Sequence, residues 1–336
     1  MDDLTRIAGD PEWFVHRFDW RQKRVQFIRL SPEQMRAETF LADAKPRNDA
    51  ESLWVPAEAV SGMSVPPGSI HFVFHTAFCR STLLARALDI PELSFGLSEP
   101  AILNDLAVAG RDGASLLKPV LSLLARPVAG APVMVVKPSN FANNLLGPIL
   151  QEREDAKAIL LSGSLAEFLR SVHRKGLMGR RWGRKLYGQV SRYAPLDLGL
   201  GESGLFELTD LQVAALGWFL QQRHFALALA SPFGPRLATL DSDALVSDRL
   251  VSLEGVDRFF ALGGGSGRMQ QVADGAVFTS HAKLGGDYAS IVSDQQRLAE
   301  SEVVEEEIRI VGEWVGAIVA QTGLALPVSR PVTALQ

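Results

Sequence analysis

The stretch HTAFCRST, residues 75–82, contains residue types that can bind a negatively charged group. A run of branched and aromatic residues precedes it, and a run with helical spacing follows it. A strand that turns directly into a helix brings unpaired amide groups and the positive end of the helix dipole to the carboxyl edge of a sheet. Ser81 and Thr82 add hydroxyl groups, and Arg80 adds a positive charge. The pattern predicts a phosphate-binding loop, with an ordinary capped helix as the alternative.

This loop departs from the nucleotide-binding signature G-x-x-x-x-G-K-[ST]. His75 and Arg80 stand where the signature has glycine, and Ser81 stands where it has lysine. Hydrolysis of ATP or GTP is therefore poorly supported. An ATP-dependent kinase stays open as an alternative. It would need a lysine in the loop and an acidic residue after a strand to hold magnesium, and Asp241 in LATLD is the evident candidate.

The composition is that of an ordinary globular protein, with 47% hydrophobic and 21% charged residues among 336. A formal net charge of −4 argues against a nucleic-acid coat protein, which needs a broad basic face, so we expect no nucleic-acid partner. The single cysteine, Cys79, excludes an internal disulfide framework and suits a reducing compartment. The acidic N-terminus lacks a secretory apolar segment, and no apolar run reaches the roughly 20 residues of a membrane span. We expect a cytoplasmic protein without a membrane partner.

Alternating strand and helix patterns from residue 70 onward would position the loop. The predicted strands are IHFVFH, PVMVVKP, AKAILLS and RLATLD, and helical patterns separate them. Continuous apolar strands that alternate with helices predict a parallel sheet covered on both faces, in a three-layer α/β fold like that of P-loop NTPases. Pro119 is predicted to interrupt one helix, and the glycine-rich segment 263–267 is predicted to be a loop.

The N-terminal segment has a different pattern. Two β-rich runs flank a polar turn at residues 21–24, which predicts a hairpin. Ser31 followed by Pro32 predicts the start of a helix, and the stretch SGMSVPPGS then separates this hairpin and helix from the rest of the chain. We expect an N-terminal hairpin and helix appendage over residues 1–65 and an α/β domain over residues 66–336.

Several segments carry a family resemblance. HTAFCRSTLL lines up with the G-x-P-R-S-G-T-T-L-L loop of sulfotransferases. The segments that follow in the family's order are LSEP, the strand ending in Lys137-Pro138, AILLSGSLAEFLRSVHRKG and LATLDSDALVSDRLVSLEGVDRFFALG. Over roughly residues 70 to 320 the chain thus resembles the P-loop sulfotransferase superfamily, in its bacterial form. The resemblance implies transfer of a sulfuryl group from 3′-phosphoadenosine 5′-phosphosulfate to a hydroxyl or amine, without a metal.

By this resemblance the loop binds the 5′-phosphosulfate of the donor. The implied binding residues are Thr76, Ala77, Phe78, Cys79, Arg80, Ser81 and Thr82. The family's loop lysine or arginine, which helps the leaving group, falls on Phe78. Arg80, two positions on, is the candidate substitute and therefore a candidate catalytic residue. For Cys79, a lowered thiol pKa beside Arg80 and simple packing are both open.

Two further catalytic residues are implied. Glu99 in LSEP stands where some family members have the general base that accepts the acceptor's proton. The alternative is that Glu99 caps a helix starting near Ala101. Lys137, at the end of a buried strand, would neutralise charge on the transferring group, as the matching lysine does in the tyrosylprotein branch. The alternative is an ordinary surface lysine.

The resemblance also implies a 3′-phosphate site. The family's arginine falls on Gly163, whereas Ser171 keeps the serine eight residues later. Arg174 and Lys175 lie where some branches have a second basic residue, and the stretch HRKGLMGRRWGRK adds local positive charge that favours an anionic ligand or forms an exposed basic loop. Ser280 and Lys283, in a late loop, are candidate nucleotide contacts.

The departures at Phe78 and Gly163 keep a second alternative open, a non-catalytic binding module that kept the fold and lost the chemistry. The histidines have no metal-binding spacing, so no metal site is predicted. Nothing in the sequence identifies the small-molecule acceptor, and an oligomer through the C-terminal helix stays open.

Overall fold

Two sheets organise the chain. The computed structural model describes residues 3–278 and 302–335. An antiparallel sheet contains β1 (Trp13–Asp19), β2 (Arg24–Arg29) and β3 (Ser52–Pro56). A parallel sheet contains β4 (Ser69–His75), β5 (Ser94–Ser98), β6 (Val133–Lys137), β7 (Ala158–Ser162) and β8 (Leu237–Asp241), in the order β5-β6-β4-β7-β8. The predicted α/β fold with a parallel sheet is confirmed, and β4, which leads into the loop, lies at the centre of the sheet.

Helices precede, connect and follow these strands. In the N-terminal part they are α1 (Asp3–Gly9), α2 (Pro32–Ala37) and α3 (Ala57–Ser61). In the parallel-sheet part they are α4 (Ser81–Ala87), α5 (Ala101–Ala109), α6 (Ala114–Leu124), α7 (Leu146–Glu152), α8 (Leu165–Arg174), α9 (Gly176–Tyr193), α10 (Gly201–Glu207), α11 (Asp210–Leu229), α12 (Ala244–Ser247), α13 (Arg249–Phe260), α14 (Gly265–Ala273) and α15 (Glu302–Thr322). No helix among the described residues is both long enough and apolar enough to span a membrane.

The parallel strands are apolar on both faces because each face packs against helices. Successive side chains of a strand point to opposite faces. Accordingly, Phe72 and Phe74 of β4 belong to a core shared with α5, α6 and α7, whereas Val73 between them belongs to a core shared with α4 and α13. All three side chains are fully buried. The sheet is thus the middle layer of three, as the continuous apolar runs predicted.

The N-terminal part packs onto the same core. The predicted β1–β2 hairpin and the helix start at Ser31, with its capping box, are confirmed, whereas β3 was not predicted. Arg17 makes a bidentate hydrogen bond to Asp105 of α5. The buried guanidinium of Arg126 donates to the backbone oxygens of Asp10 and Trp13. These contacts fix the N-terminal part against the helices of the α/β part.

The prediction that Pro119 interrupts a helix was wrong, the prediction of a loop over residues 263–267 was wrong in part, and one of the two alternatives for the basic stretch fails. Pro119 lies inside a continuous α6, and the carbonyl four residues earlier, on Ser115, accepts a hydrogen bond from Ser61 Oγ at 3.5 Å. Residues 265–267 of the glycine-rich segment begin α14. The basic stretch after His173 is helical, in α9, and not a loop.

Candidate active site

Lys137 and Glu99 form an ion pair at the carboxyl edge of the parallel sheet. Lys137 ends β6 and pairs in register with Ser98, the last residue of the neighbouring strand β5. The next amide, that of Glu99, donates to the Lys137 carbonyl at 2.7 Å. Lys137 Nζ in turn donates to Glu99 Oε1 at 2.5 Å. The strand register therefore brings together two of the residues named from the sequence.

Both of the simpler interpretations of this pair were wrong. The side chain of Lys137 is fully buried, so it is not a surface lysine. Helix α5 begins at Ala101, with Pro100 at its N-cap and no side-chain cap, so Glu99 does not cap it. Glu99 instead has a φ of +51°, a strained value for a residue other than glycine, and its side chain stays 20% exposed. A buried lysine whose carboxylate partner reaches solvent can offset negative charge while that partner accepts a proton.

The loop between β4 and α4 turns without glycine. Phe78 and Arg80 have φ values of +58° and +59°, which glycine would adopt at lower cost. Its start is fixed to β7, because the Thr76 amide donates to the Leu161 carbonyl at 3.0 Å. Thr76 Oγ1 is buried and has no hydrogen-bond partner within the described part of the chain. A buried hydroxyl without a partner is costly.

The remaining small loop residues are also buried. Ser81 and Thr82 are 7% and 3% exposed at the start of α4, and Ala77 packs into the core around α8 and α9. The Cys79 thiol donates to the Thr76 carbonyl at 2.7 Å, and burial raises the pKa of this thiol to about 11. The alternative of a lowered thiol pKa was therefore wrong, and Cys79 packs inside the turn.

Phe78 packs against the neighbouring helices. Its ring centroid lies 4.9 Å from that of Trp182 in α9 and 5.9 Å from that of Phe168 in α8. Lys175, between α8 and α9, places its ammonium 5.7 Å from the centroid of the same ring. The loop position that carries a cation in the sulfotransferase pattern thus has an aromatic ring with a lysine next to it. Trp182 was not identified from the sequence.

Arg80 extends toward the β8 side of the sheet. Its guanidinium donates to Asp243 Oδ1 at 2.6 Å and to the hydroxyl and carbonyl of Ser242, each at 3.2 Å. Lys137 and Glu99 follow strands on the other side of β4. The structure therefore brings the Arg80 guanidinium to the end of β8. Asp241 Oδ1 accepts the amides of residues 243 and 244, so it organises this turn.

The glycine at position 163 belongs to the same arrangement. A Cβ atom on Gly163 would lie 2.8 Å from Ser242 Oγ, the hydroxyl that accepts from Arg80. A side chain at position 163 would therefore crowd the contact between Arg80 and the end of β8. Arg174 donates to Ser171 Oγ at 2.8 Å on the exposed side of α8, which packs beside the loop through Phe168. Ser280 and Lys283 lie outside the described residues.

Several residues that support the site were missed in the sequence. His75 ends β4, and its ring nitrogens lie 2.8 Å from the Thr76 carbonyl and 3.1 Å from the Pro138 carbonyl. Asn143 Nδ2 donates to the His75 carbonyl at 3.0 Å. The ring centroid of Phe40, from the N-terminal part, lies 5.3 Å from Lys137 Nζ. Asn143 and Phe40 follow no motif that would have identified them.

Residues 3–278 and 302–335 contain no cluster of three or more His, Cys, Asp or Glu suited to a metal.

Comparison with known proteins adds a similarity of fold. No family model matches the sequence, and no curated protein matches it. Among solved structures, the chain is similar to the sulfotransferase domain from the curacin biosynthetic pathway, with 16% sequence identity and a TM-score of 0.43. The match covers 79% of this chain and 100% of that chain. Similarity at this level identifies neither a donor nor an acceptor for this protein.

Proposed function

We propose that the protein transfers a sulfuryl group from 3′-phosphoadenosine 5′-phosphosulfate to a hydroxyl or amine of a small acceptor. The observation that carries this proposal is the Lys137–Glu99 pair, a fully buried cation bound to a partly exposed carboxylate at the carboxyl edge of the sheet. Ligands of open α/β sheets bind at this edge. Transfer of an anionic group to a nucleophile that carries a proton requires a cation, which offsets negative charge, and a base, which accepts the proton.

The loop fits the anionic end of the donor. Thr76 Oγ1 is a buried hydroxyl without a partner among the described residues, and the hydroxyls of Ser81 and Thr82 begin the next helix. These groups would hold the 5′-phosphosulfate, which supplies the activated sulfuryl group when bound. Ser171, Arg174 and Lys175 would hold the 3′-phosphate, because α8 lies beside the loop. Ser280 and Lys283 stay candidates for this contact.

The chain's own groups then have distinct roles. The acceptor oxygen or nitrogen forms the new bond to sulfur as its proton passes to a Glu99 carboxylate oxygen. The electron pair of the broken sulfur–oxygen bond stays on the departing phosphate, and the Lys137 ammonium offsets its charge. Arg80, held by Asp243, would contribute to anion binding from the β8 side and not to the proton transfer.

Two observations favour the second candidate, a binding module without catalysis. Phe78 replaces the loop cation, and Gly163 replaces the arginine of the 3′-phosphate site. The kinase alternative is disfavoured, because Asp241 already accepts two backbone amides through one oxygen.

Calorimetric titration with 3′-phosphoadenosine 5′-phosphate, ATP and inorganic phosphate tests these alternatives together. Submicromolar binding of the first nucleotide, with weaker binding of ATP, is the result expected of a sulfotransferase. Preference for ATP would support a kinase. Absence of nucleotide binding would support the non-catalytic module and would overturn the proposed function.

A further inference from the structure

The N-terminal part of the chain reaches the candidate active site through one short segment. Residues 38–40 follow α2, and the next residue, Leu41, is 1% exposed and anchored in the hydrophobic core. The half-buried ring of Phe40 lies with its centroid 5.3 Å from Lys137 Nζ. A cation at this distance from an aromatic ring is attracted to its face. The segment thus contributes an aromatic side chain next to the Lys137–Glu99 pair.

Contacts on both sides hold this segment in place. Arg36, in α2, forms an ion pair with Asp89 at 2.8 Å, and its guanidinium lies 4.7 Å from the ring centroid of Phe95 in β5. Arg86, in α4, donates to Thr39 Oγ1 at 3.5 Å. Because β5 ends next to Glu99 and α4 follows the anion-binding loop, these contacts fix Phe40 relative to both halves of the site.

The side chains of Lys137, Glu99 and Phe40 differ in their exposure to solvent. Lys137 is fully buried, whereas Glu99 is 20% exposed and Phe40 is half-buried. Because Phe40 and Glu99 both contact Lys137 Nζ, a molecule bound at the exposed part of Glu99 lies close to the Phe40 ring. An aromatic ring there offers apolar area and no hydrogen bond from its side chain, so it favours an apolar group over a hydrated one.

We infer that the N-terminal part supplies the acceptor-side wall of the active site, with Phe40 selecting a hydroxyl carried on an apolar, aryl or alkyl, body. This inference rests on the proposed sulfuryl transfer and adds the class of acceptor to it. Phe40 also contacts the Lys137 ammonium. Because the ion pair with Glu99 holds that ammonium as well, we expect substitution of Phe40 to affect acceptor use more than donor binding.

The test compares an apolar alcohol with a sugar. Benzyl alcohol and methyl glucoside are offered as acceptors, with 3′-phosphoadenosine 5′-phosphosulfate as donor, to wild-type protein, Phe40→Ala and Phe40→Leu. Trp54→Ala is the matched control, because Trp54 is a 41% exposed aromatic residue of β3 in the N-terminal part, and its ring contacts the guanidinium of Arg24. Phe40→Leu keeps apolar volume and guards against loss of folding in Phe40→Ala.

We expect wild-type protein to prefer benzyl alcohol. Phe40→Ala is expected to raise KM for that alcohol by about tenfold, which is the scale of discrimination an apolar pocket contact provides. Phe40→Leu should give a smaller rise, and Trp54→Ala none. The Kd for 3′-phosphoadenosine 5′-phosphate, measured by calorimetry, should stay unchanged in all variants.

Contrary outcomes separate this inference from the proposed function. Two outcomes with normal nucleotide binding would contradict the inference that Phe40 selects an apolar acceptor. One is a preference for methyl glucoside, and the other is an unchanged KM for benzyl alcohol in both Phe40 variants. The same holds if the nucleotide-bound protein neither binds nor sulfates either alcohol. If wild-type protein fails to bind the nucleotide, the proposed function itself is overturned and the inference falls with it.

Discussion

Lys137 Nζ lies 2.5 Å from Glu99 Oε1; Lys137 ends β6, and Glu99 directly follows the end of the neighbouring parallel strand β5. One member of this pair is fully buried and the other is partly exposed. Burial of a charge costs several kcal/mol unless a partner compensates, and Glu99 is a charged partner of Lys137. Because this cation is already in position, the site needs little reorganisation when negative charge develops beside it.

Lys137→Met should remove this cation with little change in side-chain volume. We expect kcat to fall by about 100-fold or more, because a fixed group that stabilises developing charge contributes on that scale. Lys157→Met is the matched control, since Lys157 lies at the opposite end of the sheet and donates to the Phe259 carbonyl. Steady-state sulfuryl transfer provides the measurement, and equal kcat values for the two variants would contradict the role of Lys137.

Glu99→Gln should preserve the shape of the site and remove its proton acceptor. We expect kcat to fall by about 100-fold or more. The melting temperature should fall as well, because the buried Lys137 loses its charged partner. Glu92→Gln is a suitable control, because Glu92 is an exposed glutamate that also has a positive φ, of +67°. A variant that loses thermal stability but keeps its kcat would assign Glu99 a structural role instead.

The Cys79 thiol should be almost unreactive in the folded protein. Burial raises the pKa of this thiol to about 11 from an ordinary value of 9.0, so the reactive thiolate is about 100-fold scarcer near neutral pH. Because Cys79 is the only cysteine, alkylation by iodoacetamide followed by mass spectrometry reports on it alone. Slow labelling of native protein and rapid labelling in denaturant are expected. Rapid labelling of native protein would show that the loop opens.

His71 should make folding stability depend on pH. Its Nε2 lies 3.0 Å from the Phe260 carbonyl and its Nδ1 accepts the Lys157 amide, which requires a neutral ring. Burial lowers the pKa of His71 to about 4 from 6.5, so between these values the unfolded chain binds a proton that the folded chain refuses. The contribution of the neutral His71 ring to folding stability is complete above pH 6.5 and diminishes as the pH falls toward 4.

Urea unfolding of wild-type protein and His71→Gln at neutral pH and near pH 5 measures this effect. Between neutral pH and pH 5, the free energy of unfolding of wild type should fall by about 2 kcal/mol more than that of the variant. His16 needs the parallel variant His16→Gln, because burial lowers its pKa to about 4 as well. Identical pH dependence in wild type and His71→Gln would mean that the His71 ring is solvated.

The central strands could be predicted because their apolar runs are unbroken, whereas β5 was missed for a physical reason. Gly96 interrupts its apolar pattern, and a Cβ atom there would lie 2.4 Å from the Ala85 carbonyl oxygen of α4. Helix α9 was missed for a related reason. Its glycines resemble those of a loop, yet a Cβ atom on Gly183 would lie 2.7 Å from the Cβ of Ala214. Close packing, and not turn formation, selects glycine at both positions.

The site was predicted in part. Lys137 was identified from its position at the end of a predicted strand, since the carboxyl edge of a parallel sheet gathers such residues. Glu99 was identified from the resemblance of LSEP to the sulfotransferase pattern. Their direct pairing depends on the register between β5 and β6, which no local pattern contains. The partnership of Arg80 with Asp243 spans 163 positions of sequence, and Phe40 reaches Lys137 from the segment after α2. Tertiary packing alone creates these contacts.

A crystal structure of the protein with 3′-phosphoadenosine 5′-phosphate tests the central claim most directly. The measured quantities are the distances from the 5′-phosphate oxygens to Thr76 Oγ1, to the amides of residues 76–82 and to Lys137 Nζ. The proposed function predicts that the phosphate accepts hydrogen bonds from Thr76 and the loop amides, with Lys137 on the side where the sulfuryl group would leave. A nucleotide bound elsewhere, with the Thr76 hydroxyl still unpartnered, would contradict it.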